Sequence, residues 1–184
     1  INASVTHLPL RNAVADAVVA RSVLIYVENL ARTFTEISRV LRPGGRLSLF
    51  EPINSRGHHD AVLNDFAEGE LQAIAELRKD TPAARTMHAF TERKAAELAQ
   101  QAGLIVDKTV IETNRQRLTT AEEVDAYLRR RPHPGAPTAL DQVRGAFGED
   151  TAERYQQAWQ RALTAQGVIT FSTPGVFLTA QYSS

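Results

Sequence analysis

The 184-residue chain contains no cysteine. Disulfide bridges, thiolate metal ligands and thiol nucleophiles are thereby excluded. Neither sign of charge is in excess, since 21 Lys and Arg balance 21 Asp and Glu. A protein that neutralises phosphates normally carries a basic surplus, so nucleic acid is not an expected partner. The one compact basic run, Arg129 to Arg131, reads as a solvated helix end. No apolar stretch approaches the roughly 18 residues that span a bilayer. The opening INASVTHLPLRN has no basic start ahead of an apolar run, so it is not a signal peptide. A cytoplasmic protein with no membrane partner is the expectation. No metal is expected either: His58 and His59 are too close in sequence for a shared site, and His7, His88 and His133 stand alone. There is no G-x-S-x-G elbow and no G-x-G anywhere, which argues against a hydrolase of the first type and removes the usual phosphate loop.

What is present is an ordinary globular composition, 43% apolar, enough for one domain with a core. Its most informative stretch runs from Asp16 to Asn54. Residues 17–23, AVVARSV, are nearly continuously apolar and read as a strand covered on both faces. After Leu24–Val27, Glu28 and Asn29 cap a helix. Its apolar positions Leu30, Phe34, Ile37, Val40 and Leu41 fall on one face, with Arg32, Glu36 and Arg39 on the other sides. Pro43-Gly44-Gly45 ends it, and Arg46–Phe50 follows as a second strand. This strand, helix, strand order is a βαβ unit of an open parallel sheet, which binds ligands at the carboxyl ends of its strands.

Farther on, Ala61–Leu77 reads as helix, broken by Pro82; Thr91 caps another helix that Gly103 ends; and residues 104–112 return to strand character. Thr120 caps an amphipathic helix, which RPHPGAP breaks. Helical pattern resumes from Thr138 to Gln166, divided at Gly148, and a last β element covers residues 168–182, bent at Pro174-Gly175. No linker separates two independent domains.

The run resembles the central part of a class I S-adenosylmethionine-dependent methyltransferase. The family's pattern D-x-V-x-x-x-x-x-L-x-x-V at its fourth strand is met by Asp16, Val18, Leu24 and Val27. The pattern R-x-L-x-P-G-G-x-L before its fifth strand is met by Arg39, Leu41, Pro43, Gly44, Gly45 and Leu47. The resemblance implies an α/β, Rossmann-like sheet made of strands four to seven, the last two antiparallel neighbours. It implies a single methyltransferase-like domain, residues 1–184, incomplete at its N-terminus, with helical insertions at 55–90 and 117–166. The first insertion is expected to form a substrate lid. The family's Gly-rich loop after the first strand and the acidic residue ending the second are both missing, and the chain opens on Ile, which suggests sequence upstream.

Under this resemblance the cofactor is S-adenosyl-L-methionine, and the function is methyl transfer to a small-molecule acceptor. The segment INAS corresponds to the turn after the third strand, so Asn2, Ala3 and Ser4 are expected to contact the adenine. Asn2 stands where an Asp is common, and its side-chain carbonyl still accepts a hydrogen bond. The turn after the fourth strand makes Arg21, Ser22 and Val23 the remaining cofactor contacts. Tyr26, at the mouth of that strand, and Arg56 are the candidate substrate contacts, each balanced by a plain packing or solvated reading. His58 and His59, expected in a loop past the fifth strand, are the candidate general bases. Glu51 is expected to orient a loop by hydrogen bonding.

Two other readings stay open. One is a truncated methyltransferase-like module that lacks catalysis and serves dimerisation or scaffolding; the other is an unrelated nucleotide-binding dehydrogenase, disfavoured by the missing phosphate loop. With strands one to three absent, residues 17–23 form an exposed apolar edge that seeks another strand. Either an upstream part of the same polypeptide or a second copy is expected to cover it. Mass measurement in solution tests this: a stable, monodisperse species at 20.3 kDa tells against both.

Overall fold

The structure is a computed structural model and describes residues 2–77, 79–132 and 135–183. Ile1 of the INAS turn and His133 and Pro134 of the RPHPGAP break lie outside these residues. In chain order the elements are β1 (Ala15–Arg21), α1 (Leu30–Val40), β2 (Leu41–Pro52), β3 (His58–His59), α2 (Glu68–Leu77), α3 (Pro82–Ala89), α4 (Glu92–Gln101), β4 (Leu104–Leu118), α5 (Ala121–Leu128), α6 (Ala139–Phe147), α7 (Glu149–Gln166) and β5 (Ile169–Tyr182). β4 pairs with β5. The chain divides into two compact units, the first comprising Ile1–Gly57, Arg85–Asn114 and Thr173–Ser184, the second His58–Ala84 and Arg115–Ser172.

In the first unit β1 and β2 run parallel, from Ala17 opposite Arg46 to Arg21 opposite Phe50. β5 lies antiparallel on the other side of β2, with Arg46 opposite Gln181 and Pro52 opposite Gly175. α1 forms where the apolar period demands it, and Asn29 caps it by accepting the Arg32 amide at 3.0 Å. Leu30, Phe34, Ile37 and Leu41 pack with Leu47 and Leu49 of β2, Val176, Leu178 and Ala180 of β5, and Phe90, Ala95, Ala99 and Leu104.

The helix ends at Val40, and Leu41 already has extended backbone. Pro43-Gly44-Gly45 therefore shapes an irregularity inside β2, between the Ala15–Leu41 and Ala17–Arg46 pairs. The two glycines serve different needs. Gly44 has φ +79°, a left-handed conformation that costs side-chain-bearing residues energy. A Cβ on Gly45 would lie 2.8 Å from the Arg42 carbonyl oxygen and 3.2 Å from that of Ala15, both fixed backbone atoms.

β1 departs from the strand expected at 17–23. It starts earlier, stops at Arg21 and alternates in burial, with Val18 and Ala20 against the core and Val19 78% exposed. Only one of its faces is covered within this unit, and β2 is its pairing partner among the described residues. β5 also differs: the bend expected at Pro174-Gly175 is absent, because the Pro174 carbonyl accepts the Ile53 amide at 2.7 Å and Gly175 stays in register with Pro52.

In the second unit, α2 starts only at Glu68, not at Ala61 as the apolar pattern suggests. Residues 60–66 are held otherwise. The Asp60 amide donates to the Thr170 carbonyl and its side chain accepts the Thr170 amide, while Gln166 bonds both Val62 and the Asp60 carbonyl. Thr120 caps α5 in a reciprocal box with Glu123, as Thr138 caps α6 with Asp141. Gly148, at φ +88°, separates α6 from α7. The core is aromatic: Trp159 is fully buried, stacked on Phe171 at 5.7 Å, with Tyr127 and Tyr155 against it.

The Gly45 geometry yields a stability test. Gly45→Ala is expected to lose about 1–3 kcal/mol, since two backbone oxygens must move. Gly69→Ala in α2, where a Cβ meets nothing within 4 Å, is expected to be neutral or to gain up to about 1 kcal/mol. Urea unfolding of the two variants beside the wild type measures both.

Candidate functional site

The parallel pairing brings the carboxyl ends of β1 and β2 together, and the chain between β1 and α1 is built there. Ser22 takes φ +51°, one of two non-glycine residues with positive φ among the described residues. The Ser22 amide donates to the Phe50 carbonyl at 2.9 Å. Val23 leads into a single 3₁₀ turn, Leu24–Tyr26, whose leucine and isoleucine side chains are buried.

The amides of this loop account for one another. Those of Val23 and Leu24 each donate to Oε1 of Glu51 at 3.0 Å, and that of Ile25 to Oε2 at 3.4 Å. The Tyr26 amide reaches the Val23 carbonyl and the Val27 amide that of Leu24. Glu51 itself is fully buried. Burial pushes its carboxyl above the ordinary range, against the opposing pull of the Leu24, Val23 and Ile25 amides. The expectation that Glu51 orients a loop is met in this geometry.

A second charged clamp holds residues 6–12. The Arg39 guanidinium donates to the Leu10 carbonyl (2.7 Å), Asn12 Oδ1 (2.8 Å), the Leu8 carbonyl (2.9 Å) and both oxygens of Glu36 (3.0 and 2.8 Å). That uses all five of its N–H groups. Glu36 also accepts the Leu8 amide at 3.0 Å, and Arg32 donates to the Thr6 carbonyl at 3.2 Å. Glu36 is buried because this segment lies over it, although helical periodicity puts it off the apolar face. The Arg39 hydrogen bond is the main reason its carboxyl is lowered to about 2, with the Leu8 amide and the charges of Arg39 and Arg32 adding to it against desolvation. Arg39 is the arginine of the R-x-L-x-P-G-G pattern, and that was the available signal for this clamp.

Asn2, Ala3 and Ser4 are exposed, and Ser4 bridges to His7 at the start of the clamped segment. Arg21 ends β1 and Ser22 and Val23 open the loop; all three are exposed, Arg21 with its guanidinium 5.6 Å from the Phe50 ring centre. Tyr26 is 48% exposed at the end of the 3₁₀ turn. Arg56 forms an ion pair with Glu92 at the start of α4, so its charge is already engaged. His58 and His59 are not in a loop: they form β3, opposite Ser172 and Phe171 in the second unit. His58 is exposed, whereas the His59 ring packs 4.7 Å from Trp159 and 5.7 Å from Phe171. The structure thus gathers Arg21, Ser22, Val23 and Tyr26 at the end of β1 and on the short loop after it, and gives His59 an aromatic packing role.

Two recesses occur within the second unit. One, of about 180 Å³, is lined by Arg117, Tyr127 and Arg130; the other, of about 360 Å³, by Phe66, Ile74 and Phe147. Neither includes a residue of the β1 loop. Among the described residues no helix is long and apolar enough to cross a membrane, and no group of three His, Asp or Glu side chains is placed to hold a metal.

Residues 1–49 match the sequence profile of the methyltransferase domain. Two solved structures superpose on almost the whole chain. A protein of Bacillus halodurans C-125 assigned as a methyltransferase gives a TM-score of 0.52 at 15% identity, covering 99% of this chain and 70% of that one. The YcgJ protein of Bacillus subtilis gives 0.53 at 13% identity with the same coverage. The fold is that of a class I methyltransferase. β1 and β2 run side by side in parallel, as the resemblance implied for its fourth and fifth strands. A biotin biosynthesis bifunctional protein, BioHC, of Saccharophagus degradans is 26% identical over 169 residues, 91% of this chain. The chain spans 28% of that relative's length.

The lowered Glu36 carboxyl fixes the sign of one pH effect. Its folded value, about 2, lies below the ordinary 4.5, so its stabilising contribution is complete above pH 4.5 and is lost as pH falls toward 2. Melting temperatures measured across that window should drop less steeply for Glu36→Gln than for the wild type.

Proposed function

We propose that the chain is part of an S-adenosyl-L-methionine-dependent methyltransferase that methylates a small-molecule acceptor. The observation that carries this reading is the loop at the shared carboxyl ends of β1 and β2, where Arg21 ends the strand and Ser22 and Val23 open a hydrogen-bonded turn, all three exposed. The residues present fit the donor in part. Asn2, Ala3 and Ser4 would border its adenine, with the Asn2 amide group able to accept and donate hydrogen bonds. Ser22 and Val23 would border its methyl-bearing end. A side for its amino-acid part, which the family builds from a Gly-rich loop, has no counterpart in this sequence.

When bound, the donor supplies an activated methyl group on a sulfonium, and the transfer is an in-line displacement. The protein's part is mostly positional, which is worth several kcal/mol when the reacting atoms are held in line. The 3₁₀ turn presents Tyr26 beside the loop, where its ring would line the acceptor side and exclude water. The Arg39–Glu36 clamp would keep residues 2–4 at a fixed distance from the loop by immobilising the chain that joins them. Arg56, ion-paired with Glu92, has no part in this reading.

A second reading is supported by a different observation. Val19 is 78% exposed and β1 has one pairing partner among the described residues, so the chain has an apolar strand edge suited to another strand. A non-catalytic module for dimerisation or scaffolding would use that edge. In the methyltransferase reading an upstream segment of the same polypeptide, or a second copy, occupies it.

Isothermal titration with S-adenosylhomocysteine separates the two. The 184-residue chain and a longer form with upstream sequence restored are compared. Binding by the longer form is the expected outcome; no heat from either form leaves the scaffolding reading standing.

A further inference from the structure

Six successive amides, from Ser22 to Val27, leave the carboxyl end of β1, and three of them end on one buried side chain. The other three find backbone carbonyls close by. We infer that Glu51 is a positioning residue for this loop: its ionised carboxylate gathers the Val23, Leu24 and Ile25 amides and so fixes the turn at Ser22 and the placement of Tyr26. Its consequence for donor binding rests on the function proposed above; its effect on the loop does not.

Three observations support a positional role over a purely structural one. First, Glu51 is fully buried, and among the described residues its side-chain oxygens bond only to this loop. Second, it follows Phe50, the residue paired with Arg21, so it stands level with Ser22 at the edge where β1 becomes loop. Third, burial raises its carboxyl above the ordinary 4.5. By linkage, a raised value gives stability that is present below 4.5 and declines as pH rises through the folded value. Ionising Glu51 therefore costs more in the folded chain than in the unfolded one. A fully buried carboxyl whose two oxygens gather three amides of one exposed loop fits a site that gives up stability for geometry.

A purely structural hydrogen-bonding residue differs from Glu51 in that its loss lowers stability and loosens its surroundings together. In Glu51→Gln the side chain keeps its shape and one acceptor oxygen, loses its charge, and turns an N–H₂ donor toward the loop amides. Charge-assisted bonds are roughly twice as strong as neutral ones, so amide exchange at residues 23–25 is expected to quicken about fivefold to tenfold. The melting temperature at neutral pH is expected to stay level or rise. Affinity for S-adenosylhomocysteine, in the form that binds it, is expected to weaken by a similar factor.

Glu51→Asp is the second variant. It retains the charge but is one methylene shorter, and is expected to free the Ile25 amide, which makes the longest of the three bonds. Unchanged exchange at 23–25 in both variants overturns the inference. So does faster exchange spread evenly over α1 and β2 with a falling melting temperature. Failure of the wild type to bind S-adenosylhomocysteine, with upstream sequence restored, counts against the proposed function alone, and the exchange result still decides the role of Glu51.

Discussion

The parallel pairing of β1 with β2 is the constraint from which the candidate site follows. Five consecutive pairs, Ala17–Arg46 to Arg21–Phe50, bring two carboxyl ends to the same edge. Were the strands antiparallel, the residue beyond Phe50 would stand beside the start of β1, and Glu51 would face the wrong end of it. The register depends in turn on Pro43-Gly44-Gly45, which absorbs the extra residues between the Ala15–Leu41 and Ala17–Arg46 pairs. Gly45 does this where two carbonyl oxygens leave no room for a Cβ. A three-residue feature at one end of β2 thus determines which carboxylate meets which amides at the other.

Two buried glutamates then immobilise backbone that has no ladder of its own, and they do so by contrasting electrostatics. Glu36 faces a guanidinium, and the full charge opposite it outweighs burial, which draws its carboxyl down to about 2. Glu51 meets only amide dipoles, and burial wins, which pushes its carboxyl up. The same residue type is therefore ionised more readily by folding in one place and less readily in the other. Both segments so held, residues 6–12 and 22–26, border the exposed residues read as cofactor contacts. Rigid, hydrogen-bonded support beneath an exposed loop is what an enzyme needs where reactants must be held in line.

Much of this was legible in the residues. The 3.6-residue spacing of Leu30, Phe34 and Ile37 located α1, and the Arg39 to Leu47 pattern located the turn before β2, because both signals are local. Signals that depend on distant chain were not legible. Glu36 lies off the apolar stripe of α1, and its burial comes from residues 6–12 folding over it. Ala61–Phe66 carry apolar residues at helical spacing, but side chains of Asp60 and Gln166 hold that stretch in another conformation. His59 reads as a loop histidine until Trp159, a hundred residues on, is placed against it. The continuous apolar run of residues 17–23 implied two covered faces, and the exposed Val19 records that composition reports a strand's tolerance for burial, not its cover within a given chain.

That exposed strand and the candidate cofactor loop are parts of one problem. Ser22 follows Arg21 directly, so the loop begins where β1 ends. Neighbouring strands lie about 4.8 Å apart, and a strand hydrogen-bonded along the free edge of β1 would come within that distance of Arg21. A parallel strand would also bring its own carboxyl end, and whatever loop follows it, alongside Ser22 and Val23. A strand added along the open edge would therefore supply a second wall to the exposed turn. The part of the donor for which this sequence has no Gly-rich loop would lie against that wall. Under the proposed function, edge pairing and cofactor binding would be coupled through that same added strand.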